Sequence, residues 1–160
     1  MTEVDLYNLA PAVQLMAVGL AVAAVPLGVW LWRQRGATPA ARLRALTLIT
    51  LFLTFDLVLF GAFTRLTDSG LGCPDWPGCY GSASPLGAAQ HIQAAEAAMP
   101  DGPVTRSKAW IEMVHRYMAT AVGVLILTLF IVRWRAQQRQ DAKTAELPSL
   151  WWPGLTLLAV

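Results

Sequence analysis

A histidine, two cysteines, two acids and two arginines are the residues whose types and spacing can do chemistry in this sequence. His115 lies five residues along an apolar run that begins near Trp110, and at 1.5 Å per residue that sets it roughly 7–8 Å deeper than the tryptophan. An ionisable side chain at such a depth marks a functional position by default. Neutral imidazole is a good ligand for haem iron. Glu112 stands three residues earlier and projects from nearly the same helix face. Ala119 and Gly123 continue that face at four-residue steps. A small face below a histidine leaves room for a flat macrocycle. It equally suits close contact with another helix, with His115 then acting as an interhelical hydrogen-bond donor.

The segment Cys73-Pro-Asp-Trp-Pro-Gly-Cys79 carries two prolines and a glycine between its cysteines. Those residues force a tight excursion that can bring the thiols together. Two readings stay open: a redox-active pair oxidised during turnover, and a permanent staple of an extracytoplasmic loop. Metal binding fits less well, because the pair lacks CxxC spacing and only His91 is near it in sequence. Asp56 sits at the middle of another apolar run, where an ionised carboxylate costs several kcal/mol in lipid. A proton path and a structural hydrogen bond, to Thr54 or to another helix, both account for it. Arg65 and Arg116 lie near the same edge of the membrane as His115. Their forks suit carboxylates, including haem propionates, and snorkelling to lipid phosphate is the alternative.

These residues are positioned by long apolar segments. Of 160 residues 56% are hydrophobic and only 14% charged, against about a quarter charged in ordinary soluble domains. Mean hydropathy is +0.48. The apolar residues fall in runs, which points to lipid as the solvent. Spans are expected at Pro11–Trp32, Leu46–Leu66 and Trp110–Val132, each of about 20 residues and so long enough for a hydrocarbon core ~30 Å thick. Pro26 should kink the first, which membrane helices tolerate. Pro148, Trp151 and Trp152 then open a fourth span that has barely begun at Val160. Between the second and third spans, Ala88 to Met99 is Ala-rich and reads as a short surface helix ended by Pro100, Gly102 and Pro103. The fold class is therefore an all-α integral membrane protein, a transmembrane helix bundle with three complete helices and the start of a fourth.

The charge bias orients the bundle. The spacer 33–44 has four arginines and no acids, and 133–146 has four basic residues against two acids. The loop 67–109 has only Arg106 and Lys108 against four acids. Positive residues gather on the cytoplasmic side, so the N-terminus and the long loop should face outward, into the periplasm of a bacterium. The N-terminus opens with Glu3 and Asp5 and reads as a retained anchor rather than a signal peptide. The net charge of +2 comes with no basic patch interleaved with aromatics, and nucleic acid is not an expected partner.

Two stretches taken together resemble a known family. Gly61-Ala-Phe-Thr-Arg-Leu-Thr-Asp-Ser-Gly-Leu-Gly-Cys-Pro-Asp-Trp-Pro-Gly-Cys-Tyr-Gly81 resembles the first helix end and first periplasmic loop of the haem A synthase family of cytochrome oxidase assembly proteins. Trp110-Ile-Glu-Met-Val-His-Arg-Tyr-Met-Ala119 resembles that family's next helix with its Glu-x-x-His motif. The resemblance covers roughly residues 44–160, leaving 1–43 as an extra N-terminal helix and its cytoplasmic spacer.

The resemblance implies a bundle of eight core helices in two similar halves, each binding one haem through a histidine pair. It implies oxidation of the C8 methyl of haem O to a formyl group, giving haem A. By position His115 matches an iron-ligating histidine; Arg65 and Arg116 stand beside it as cofactor-binding candidates through the carboxylate chemistry of their forks, not by position. Glu112 matches an acid needed for activity, and Cys73 and Cys79 match loop cysteines of one subgroup. Haem b is the implied cofactor, haem O the substrate and haem O synthase a partner, beside the lipid bilayer. The electron donor is unassigned, and a homo-oligomer is left open. The family's second histidine of this half lies on a helix beyond Val160. The chain therefore reads as an incomplete N-terminal half, and the isolated 160 residues are expected not to be a competent enzyme. A membrane thiol–disulfide protein and a non-catalytic assembly subunit are the alternatives.

Overall fold

The computed structural model describes residues 9–138, and the fourth span expected after Pro148, like Arg139 and Lys143, lies outside the described residues. Four helices follow in order: α1 Ala10–Arg33, α2 Pro39–Leu66, α3 Ala89–Ala98 and α4 Arg106–Gln138. At 1.5 Å per residue, α1, α2 and α4, with 24, 28 and 33 residues, are about 36, 42 and 50 Å long. All three are long and apolar enough to cross a membrane. Helix α2 exposes Leu51, Phe52, Phe55, Val58 and Leu59, side chains whose natural surroundings are lipid. The helices satisfy their own hydroxyls. Thr47, Thr50, Thr54, Thr64, Thr120 and Thr128 each donate to the carbonyl four residues back, so none of these six hydroxyls is left open to an apolar surround. Helix α1 runs unbroken through Pro26.

Two helices begin earlier than apolar patterning alone predicts, and their caps explain it. Pro39 opens α2, and Thr38 Oγ1 accepts from the amide of Ala41 at 3.3 Å, a threonine cap followed by proline in the first turn. Thr105 plays the same part for α4, accepting from the Lys108 amide at 3.3 Å. The polar residues 133–138 extend α4 past the apolar run.

The chain forms two compact units, and α1, α2 and α4 contribute to both. In residues 20–56 and 121–138, Trp30, Leu46 and Leu125 form a buried cluster. There Arg42 closes the α1–α2 turn, donating to the carbonyls of Gln34 at 2.8 Å and Arg35 at 2.7 Å, while Trp30 Nε1 donates to the Arg42 carbonyl at 2.9 Å. A cation at a helix C-terminus offsets the partial negative charge there. In residues 9–19 and 57–120, the loop after α2 and helix α3 pack on α4 around Leu15, Cys73, Cys79, Ala88, Ile92, Ala109 and Met113. This second unit holds the chemistry.

Candidate functional site

Helix α4 presents Glu112, His115 and Arg116 on one side, and α2 presents Gly61, Thr64 and Arg65 opposite. With Asp68, Gly70 and Leu71 of the loop they line a cavity of about 620 Å³. His115 is half-buried in its wall. Phe60 stacks on the imidazole, with ring centroids 6.3 Å apart and planes 16° from parallel. No hydrogen bond to another described residue involves either ring nitrogen, so the imidazole is free to serve a ligand. The ring comes so close to α2 that a Cβ at Gly61 would lie 3.0 Å from His115 Nε2. Glycine inside an aromatic-rich helix costs stability, and here its missing side chain makes room for the imidazole. Below His115, Ala119 and Gly123 are exposed, and a Cβ at Gly123 would meet nothing within 4 Å.

Glu112 differs from its neighbour in every respect. It is buried, at 7% exposure, and both carboxylate oxygens are engaged. One accepts from the backbone amide of Cys73 at 2.7 Å, and the other accepts from Arg116 Nη2. The carboxylate thus ties α4 to the loop before it can act on anything else. Arg116 Nη1 donates to the carbonyls of Asp75 at 2.9 Å, Pro77 at 3.2 Å and Gly78 at 2.5 Å. Those partners all belong to this chain. Arg65, by contrast, is exposed at the cavity rim.

Cys73 and Cys79 form a disulfide, with Cα atoms 4.9 Å apart. Both residues are buried, Cys79 completely. Asp75 organises the loop between them, its carboxylate accepting from the amides of Tyr80 at 2.5 Å and Gly81 at 2.7 Å. Tyr117 donates from its hydroxyl to the Ala83 carbonyl at 2.5 Å, and Gly72 lies directly on the α4 backbone at Lys108 and Ala109. His91 stacks on Tyr80 with centroids 5.3 Å apart and does not line the cavity. Asp56 is half-buried on α2 without a hydrogen bond to another described residue, and the Thr54 hydroxyl bonds Thr50 instead. No group of three or more histidines, cysteines or acids that could hold a bare metal ion occurs among the described residues.

Sequence reasoning brought Glu112 and His115 to one place, and the structure adds Gly61, Gly72 and the loop contacts of Arg116. A glycine within a helical pattern is the signal that could have found Gly61. Nothing in one dimension marks which carbonyls an arginine will meet.

Three apolar helices, a half-buried histidine beside an open cavity, and a disulfide loop tied down by a buried acid define a membrane helix bundle. Residues 44–160 match the COX15-CtaA family, described as cytochrome oxidase assembly protein, and the chain belongs to that family. It is similar to the heme A synthase of Shewanella oneidensis, with 45% identity over 84 residues, 52% of this chain and 26% of the relative. The heme A synthase of Allorhizobium ampelinum is 33% identical over 156 residues, 91% of this chain and 40% of the relative. That of Sinorhizobium medicae is 34% identical over 125 residues, 68% of this chain and 34% of the relative. The chain thus spans between about a quarter and two-fifths of these relatives' length. No solved structure matches it.

Proposed function

We propose that this chain forms the haem-binding N-terminal half of an enzyme that oxidises the C8 methyl of haem O to a formyl group, giving haem A for cytochrome oxidase. The carrying observation is the His115 imidazole, without a hydrogen-bond partner among the described residues, set in the wall of a cavity of about 620 Å³. The residues fit a porphyrin. The donor is an imidazole, Ala119 one turn further along the helix is small and exposed, and the exposed Arg65 supplies a guanidinium at the rim for a propionate. His115 would hold the iron of haem b, while His91 stacks on Tyr80 and does not line this cavity. When bound, such a haem supplies electron transfer or oxygen activation.

The chain's own residues do the rest. Glu112 offers a fixed carboxylate one turn from His115, and the disulfide loop covers that end of the helices. The charge bias of the sequence supports a periplasmic position for this end in a bacterial inner membrane, with the N-terminus on the same side. The full reaction, its haem O substrate and any contact with haem O synthase belong to a protein of the relatives' length. The burial of Cys73 and Cys79 supports a stapling role over thiol exchange, which needs an accessible sulfur.

A pyridine haemochrome spectrum of membranes holding the protein tests the proposal. Haem b is expected in the wild type, lost in His115→Ala and retained in Cys73→Ser. Haem that survives His115→Ala unchanged would remove the basis of this reading.

A further inference from the structure

We infer that Arg116 is a positioning residue, a clamp that holds the disulfide loop and the Glu112 carboxylate in place, rather than an anion ligand for the cofactor. Its Nη1 meets three carbonyls, those of Asp75, Pro77 and Gly78, all inside the ring that the Cys73–Cys79 bond closes. Two protons serve three acceptors, so the bonds are shared, and a guanidinium suits that arrangement because its protons lie fixed in one plane. Its Nη2 meets Glu112, whose other oxygen takes the Cys73 amide. The loop is therefore gripped at its start through Glu112 and at its middle through Arg116. The acid also neutralises the cation, without which a part-buried guanidinium would be costly.

This arrangement bears on the disulfide. With both cysteines buried, a reductant in solution reaches sulfur only when the loop lifts off α4. The clamp sets how often that happens. Its bearing on the cofactor rests on the function proposed above, since Glu112 is one turn from His115. The grip on the loop stands without it.

The test uses the protein expressed at full length from its own gene, in membranes. Dithiothreitol is added, and free thiols are trapped over time with a maleimide of known mass. Both Arg116→Lys and Arg116→Ala are expected to speed reduction of Cys73–Cys79 by roughly tenfold or more, as loss of charged hydrogen bonds implies. Lysine keeps the positive charge beside Glu112, so this variant guards against simple misfolding, and its acceleration should be the smaller. Haem content by pyridine haemochrome should survive Arg116→Lys. Wild-type reduction kinetics in both variants would overturn the clamp. Haem loss in Arg116→Lys with unchanged reduction kinetics would overturn it too, and make Arg116 a cofactor ligand. Faster reduction in the Arg116 variants, together with haem that survives His115→Ala, would keep the clamp and refute the haem assignment alone.

Discussion

Replacing Gly61 by alanine places a methyl group 3.0 Å from His115 Nε2 and 3.7 Å from Cδ2 and Cε1. Carbon atoms rest about 3.5–4.0 Å from their neighbours, so the imidazole must retreat by roughly half an ångström or α2 must shift. Overpacking of this kind costs about 1–3 kcal/mol. Alanine also regains up to ~1 kcal/mol of helix propensity. The gain offsets part of the cost in the fold, and the global stability of Gly61→Ala should fall by no more than about 2 kcal/mol. No such offset exists at the imidazole, whose position a haem ligand cannot relax freely. Haem occupancy should therefore drop by roughly 5- to 100-fold in affinity, with an altered Soret spectrum. The assay is haem titration of purified protein, followed by absorbance and paired with thermal unfolding. Gly28→Ala is the control: its Cβ would meet nothing within 4 Å, so it gains the propensity and leaves haem unchanged. Wild-type haem affinity and spectrum in Gly61→Ala would refute the reasoning, because the ring pressed on Gly61 would then not be the one that binds.

Two further substitutions probe the loop. In Gly72→Ala the new Cβ would fall within 2.5–2.6 Å of backbone atoms of Lys108 and Ala109, which cannot rotate away. The loop should undock at a cost of about 1–3 kcal/mol or more, read as faster limited proteolysis between α2 and α3. In Cys73→Ser the lost cross-link spans a sequence separation of 6, and chain entropy sets the cost at roughly 2 kcal/mol. Thermal unfolding should show that loss while haem remains, and an equal loss of haem would mean the sulfurs support the cofactor directly.

The helices, the loop between them and the face that carries Glu112 and His115 were legible from sequence because they depend on local periodicity. An apolar run of about 20 residues has few options in lipid, since its backbone must bond within itself. Acids and histidines three residues apart on a helix must share a face. Boundaries were legible only in part. Patterning started α2 near Leu46 and α4 near Trp110, but Thr38 with Pro39 and Thr105 open them earlier, by capping chemistry that hydropathy does not register.

What the tertiary structure alone decided is who meets whom across long stretches of chain. Arg65 and Arg116 read alike in sequence, yet one stays exposed at the cavity rim and the other grips the loop. The Cys73 amide finds Glu112 from 39 residues away, and Arg116 finds the Asp75 carbonyl from 41. A helix face follows from a repeat of a few residues. Contacts at such separations follow from how the loop folds back onto α4, where each bond forms only because its neighbours hold both partners within reach.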